Sequence, residues 1–166
     1  MILGLSTATY TSLHVLISLI GILAGFVVFF GLVNGKQLDR WTEVFLVTTA
    51  LTSISGFGFP FDRLLPSHIV GILSLVVLAF AMAALYLFHL GGVWRRTFVI
   101  GSALALYFNV FVLVVQSFEK VPLLKALAPT QKEPPFVIAQ VVVLLIFGVL
   151  TTAATRRFCP SRAQAS

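Results

Sequence analysis

The sequence predicts an all-α protein, a single domain of about five membrane-spanning helices with its N-terminus outside and its C-terminus in the cytoplasm. Three observations predict it. Hydrophobic residues make up 59% of the 166 residues and charged residues only 10%, whereas a soluble domain carries about a quarter charged residues to cover its surface. The apolar residues fall in long runs, and four of these reach the roughly 20 residues needed to cross a bilayer core of ~30 Å. The basic residues, finally, stand at the ends of the runs. The alternation of apolar and polar residues that marks a membrane barrel is absent.

The first run, residues 12–33, has no Lys or Arg before it. It lacks the basic leader of a cleavable signal and is expected to stay as a helix. The second, 44–59, is shorter, rich in hydroxyls and closed by Pro60. Runs at 69–90, 97–118 and 136–155 follow. Residues 119–135, an outer loop, hold four prolines, and 123–128 between Pro122 and Pro129 suit a short interfacial helix. Residues 156–166 form a cytoplasmic tail.

Five crossings divide the basic residues into two groups. Lys36, Arg40, Arg95, Arg96, Arg156, Arg157 and Arg162 fall on one side, and Arg63, Lys120, Lys125 and Lys132 on the other. Seven against four makes the first side cytoplasmic. A net charge of +6 scattered in this way is a topology signal, not a nucleic-acid face. The single cysteine, Cys159, rules out an internal disulfide framework.

Small residues recur four apart: Gly21 and Gly25, Ser67 and Gly71, Ala79 and Ala83, Gly101 and Ala105, Gly148 and Thr152. Such steps let helix backbones approach closely, within the bundle or at a homo-oligomer face. All five carboxylates, Asp39, Glu43, Asp62, Glu119 and Glu133, lie in loops or at helix ends. Proton-driven transport, which uses an ionisable group inside the span, is therefore disfavoured, and no internal repeat points to a transporter.

His14 and His68 begin helices on the same side, with Ser12 and Ser67 placed as N-caps. Neutral imidazoles at one depth are candidate axial ligands for haem b; the plain alternative is two interfacial histidines bonded to water or neighbouring helices. Phe57, Phe59, Phe111 and Phe118 are placed to line such a haem slot. His89 lies at the opposite end. Asn109 and Gln116 share a face of the fourth helix and Gln140 sits in the fifth. Intramembrane amides are chiefly interhelical glue, but with Tyr107 these three are candidate quinone or ligand contacts. The stripe Thr48, Thr52 and Ser55, beside Thr49, Ser53 and Gly56, marks the second helix as interior. The stretch Ile54-Ser55-Gly56-Phe57-Gly58 superficially matches a potassium filter, but Ser55 breaks the order that such filters need.

Ser12-Leu13-His14-Val15, the segment from Gly56 to Asp62 leading to Leu65-Pro66-Ser67-His68, and Asn109 through Lys120-Val121-Pro122 resemble a group of small bacterial membrane proteins with no assigned activity. That resemblance covers most of the chain and implies a bacterial inner-membrane location. A looser likeness, of arrangement only, is to small di-histidine cytochrome b helical proteins. The leading expectation is a non-enzymatic accessory or binding module whose partners are the bilayer and a second copy or larger complex. An electron-transfer module with haem or quinone is the alternative, and a small channel or facilitator the third.

Overall fold

The structure, a computed structural model, describes residues 4–59 and 66–159. It is an all-α bundle: α1 Thr7–Val33, α2 Asp39–Gly56, α3 Pro66–Met82 continued by a π-helical turn at Ala83–Leu87, α4 Trp94–Lys120, α5 Pro122–Leu127 and α6 Pro134–Arg157. The expectations on Pro60, Phe61, Asp62, Arg63, Arg162 and the last part of the tail lie outside the described residues.

Each long helix begins before its apolar run. Hydropathy registers side chains, whereas a helix continues as long as its backbone groups are satisfied. Ser6, not Ser12, caps α1, accepting from the Thr9 N–H at 3.1 Å. Helix α3 opens with Pro66, whose missing N–H costs nothing at the first helical position. Ser67 is therefore a helical residue, not a cap. The prolines around 123–128 bound α5 as expected.

Among the described residues four helices, not five, are long and apolar enough to cross a membrane: Thr7–Val33, His68–Leu87, Trp94–Lys120 and Pro134–Arg157. They make the chain a helical membrane protein. The exception is α2, whose first turns carry Asp39, Arg40 and Glu43. It is a full member of the bundle nonetheless. It runs antiparallel to α1 from Leu38 beside Gly31, through Phe45 beside Gly25 and Thr48 beside Gly21, to the Ser55 carbonyl, which accepts from the Tyr10 hydroxyl at 2.8 Å. This continuous helix replaces the filter geometry considered for residues 54–58. Its inner face is Thr42, Phe45, Leu46, Thr49 and Ser53, while Val44, Val47, Leu51 and Ile54 face outward. Hydroxyls inward and aliphatics outward suit a hydrocarbon solvent.

Helix α4 is the hub and touches α1, α2, α3 and α6. The long helices alternate in direction. The starts of α1, α3 and α6 gather at one end with α5, called here the N-terminal end. Arg95 donates to the Phe158 carbonyl and so joins the end of α6 to the start of α4 at the other, C-terminal end. Lys36, Arg40, Arg95, Arg96, Arg156 and Arg157 lie at the C-terminal end, and Lys120, Lys125 and Lys132 at the N-terminal end, as the loop grouping requires.

Candidate functional site

The two predicted histidines share the N-terminal end but engage α2 differently. His14 is the eighth residue of α1, two turns in, not in the first turn as expected. Its Nδ1 lies 2.8 Å from the Ser55 hydroxyl, and its ring meets Phe59 edge-on at 5.3 Å. Ser55 also donates to the Thr52 carbonyl at 3.2 Å. When the one hydroxyl hydrogen is used there, His14 Nδ1 is the donor to Ser55 and Nε2 keeps the lone pair; when it points to His14 instead, Nδ1 accepts and Nε2 carries the proton. His68, in the first turn of α3, is buried and lies against the Phe57 ring at 5.5 Å. Helix α2 packs against both α1 and α3, so its C-terminal turn carries the contacts of both imidazoles, Ser55 and Phe59 for one and Phe57 for the other.

The predicted amides separate. Asn109 is buried and donates to Thr49 Oγ1 at 3.3 Å, joining α4 to α2. Gln140 donates to the Phe111 carbonyl at 3.3 Å, joining α6 to α4. Gln116 is exposed and does not share Asn109's surroundings. Tyr107 stands apart from all three, in a membrane-facing groove of about 360 Å3 between α4 and α6, with Phe147 edge-on at 5.7 Å. The small-residue steps divide likewise. Gly21 and Gly25 are filled by α2 and α4, and Gly101 by α3, whereas a Cβ at Gly148 meets nothing within 4 Å.

A polar cleft that sequence reasoning missed opens at the C-terminal end. Its volume is about 430 Å3, and Gln37, Asp39, Glu43, Leu85, Tyr86, His89 and Leu90 line it. Asp39 and Glu43 are four apart at the start of α2 and therefore share a face; this is also where a helix dipole favours carboxylates. Tyr86 and His89 arrive by an irregular route. At the end of α3 the ladder widens, with Phe88 N–H bonding to the Ala83 carbonyl at 3.0 Å and Leu90 N–H to Ala84 at 2.9 Å. A π turn of this kind rephases the helix end and is frequent at functional sites. His89 and Leu90 then take φ of 45° and 58°, in the left-handed region that costs a non-glycine residue roughly 1–2 kcal/mol. Phe88 stacked on Trp94 at 3.7 Å anchors this turn.

Gln37 supplies the unsatisfied group. Its Nε2 donates to Asp39 Oδ1 at 2.8 Å. A carboxylate only accepts, which fixes the amide orientation. Among the described residues nothing donates to the Oε1, which the protein encloses, a state that costs about 1–3 kcal/mol. Among the described residues no three His, Cys, Asp or Glu groups assemble in a metal-binding geometry. The signal available in the sequence was the i, i+4 pair Asp39 and Glu43; what hid the site was that its other half, Tyr86 and His89, is more than forty residues away, on a helix end phased by a π turn.

No family model, curated protein or solved structure matches the chain.

Proposed function

We propose that this protein is a multi-pass module of the bacterial inner membrane that binds and does not transform its ligand, with the cleft at Asp39, Glu43, Tyr86 and His89 as its binding site. One observation carries the reading: polar groups from α2 and from the end of α3 line a single cleft of about 430 Å3, within the size range of small-molecule sites. Basic residues around that end make it the cytoplasmic side. The resemblance to small bacterial membrane proteins supports the location. The partners on this reading are the bilayer and, through the uncovered Gly148–Thr152 step of α6, a second copy or a larger membrane complex. A thermal-shift screen of the detergent-purified chain tests the binding role. A ligand should stabilise the wild type, fail to stabilise Glu43→Gln, and be recovered chemically unchanged. Recovery of a converted product would overturn the non-enzymatic reading.

A second reading, a haem- or quinone-binding electron-transfer module at His14 and His68, is favoured by one observation. The Ser55 contact to Nδ1 is the kind of outer-shell bond that orients a ligating imidazole and leaves Nε2 for a metal. The absorption spectrum of the purified protein decides it. A Soret band lost in both His14→Ala and His68→Ala but kept in His89→Ala would establish it, and a spectrum without the band would remove the haem.

A further inference from the structure

We infer that the groove between α4 and α6 holds an acyl chain of an acidic glycerophospholipid, whose phosphate sits between Arg96 and Arg156 at the C-terminal end. This site is separate from the acidic cleft, which belongs to α2 and the end of α3. The groove has a volume of about 360 Å3; Ile100, Leu104 and Tyr107 form its α4 wall, and Leu144, Gly148 and Thr152 its α6 wall. Ile100 and Leu144 are exposed, so the groove opens toward lipid. Three features make it a slot for a hydrocarbon chain. Gly148 carries no side chain, and nothing lies within 4 Å of the place that a Cβ would take. Thr152 and Thr155 spend their hydroxyls on the carbonyls of Gly148 and Thr152, each at 2.9 Å, and ask for no partner from a ligand. From Leu144 to Thr155 the groove follows α6 for about 16 Å at the helical rise. That is half of the ~30 Å hydrocarbon core, the depth of one leaflet.

Both walls run into an arginine. Arg96 precedes Ile100 by four residues and Arg156 follows Thr152 by four, so each continues its wall by one helical turn. The two helices are antiparallel from Gln140 beside the Phe111 carbonyl to Arg95 beside that of Phe158. That register sets Arg156 level with Arg96. Both arginines are exposed, and neither forms an ion pair among the described residues. Helix α6 carries no carboxylate, and α4 carries only Glu119, at its far end. Two facing guanidiniums without a counter-charge repel each other, whereas a phosphodiester between them accepts N–H bonds from both. The arginines stand where apolar helix gives way to the basic end of the bundle, the level at which a phospholipid carries its phosphate. A second copy pressed bare into the groove fits poorly, because copies sharing one orientation would bring two more arginines to the same depth; a lipid in the groove removes that repulsion. A free anion has nothing to place in the apolar slot.

Native mass spectrometry of the full chain, released from nanodiscs of equimolar phosphatidylglycerol and phosphatidylcholine, tests this. The wild type should retain phosphatidylglycerol and little phosphatidylcholine. Arg96→Gln and Arg156→Gln should each lower that retention several-fold, and the double variant by roughly tenfold. Gly148→Leu, which puts a side chain into the slot, should lower it as far with both arginines present. Lys125→Gln removes a charge at the opposite end and should leave it unchanged. Each variant's melting temperature in detergent shows whether it has folded. The arginine variants change only exposed side chains and so report on the headgroup independently of Gly148→Leu. Equal retention of the two lipids overturns the inference. So does phosphatidylglycerol retention that is unchanged in the arginine double variant. Retention that falls with the arginines yet survives in folded Gly148→Leu would put the lipid outside the groove and overturn it too. A lipid-free dimer that Gly148→Leu abolishes would give the groove to a second copy, with the same consequence.

Discussion

Gly25 and Gly148 are the same residue in opposite surroundings, and they predict opposite outcomes. A Cβ at Gly25 would lie 2.6 Å from Leu106 Cδ1 and 2.9 Å from the Phe45 ring. Gly25→Ala should therefore destabilise the bundle by about 1–3 kcal/mol, the usual cost of overpacking, and Gly25→Leu by more. Gly148→Ala meets open space and removes a poor helix former, so stability should hold or rise by up to ~1 kcal/mol. Reversible unfolding in mixed micelles measures both, and a loss at Gly148 matching that at Gly25 would contradict the packing. Asn109 tests a polar contact in the same interior. Asn109→Leu should cost only about 0.6 kcal/mol, the average for transmembrane hydrogen bonds. A double-mutant cycle with Thr49→Val checks it: a coupling of zero would deny the bond.

Among the elements, α6 depends most on its ends. Its outward surface, including Ile138, Leu145 and Val149, is uncovered, so little packing holds its first turn. Glu133, the residue before it, accepts from Thr130 N–H at 3.2 Å, Thr130 Oγ1 at 2.8 Å and Lys132 N–H at 3.0 Å. Desolvation, the largest single influence, raises the pKa of this carboxyl, but the bonds from the Thr130 side chain and from the backbone together outweigh it and hold the pKa below the ordinary value. A depressed folded pKa means stability that is present above the unfolded glutamate pKa and lost as pH falls through the folded one. Acidification below the usual glutamate range should thus loosen residues 130–136, read as faster amide hydrogen exchange relative to the α4 interior. Glu133→Gln should abolish that pH dependence. Exchange that accelerates equally in the variant would place the effect elsewhere.

At the scale of the whole molecule, the alternating helices put the start of α1 and the end of α6 at opposite ends, and the chain carries its own reporter of one of those ends. Cys159 is exposed at the C-terminal end, with its Sγ 3.4 Å from Arg95. An impermeant thiol reagent added outside intact cells should leave it unlabelled and should label it in inverted vesicles. In a Cys159→Ser background, Lys125→Cys and Thr130→Cys should show the reverse. Labelling of Cys159 from outside would invert the orientation and place the acidic cleft on the outer face.

The sequence by itself determined the fold class, the four long apolar spans and the bounds of α5, because hydrophobicity, run length and proline are properties of single residues and their neighbours. It marked α2 as interior from the stripe Thr48, Thr52 and Ser55 with Thr49 and Ser53 beside it; the structure buries Thr49 and Ser53, leaves the first three half-buried and turns Val44, Val47, Leu51 and Ile54 outward. The sequence did not show that α2 stays helical from Asp39, because those charged turns look like loop to a hydropathy reading. Only the tertiary structure decided which small-residue steps are filled, since that depends on the helix opposite and not on the spacing. The same holds for the sites. His14 and His68 read as a pair from their similar depth, yet their neighbours are set by how α2 ends between them. The cleft joins Gln37, Asp39 and Glu43 to Tyr86 and His89 through a π turn. No local pattern announces that turn, and the side chains it brings together meet only when α2 and α3 pack.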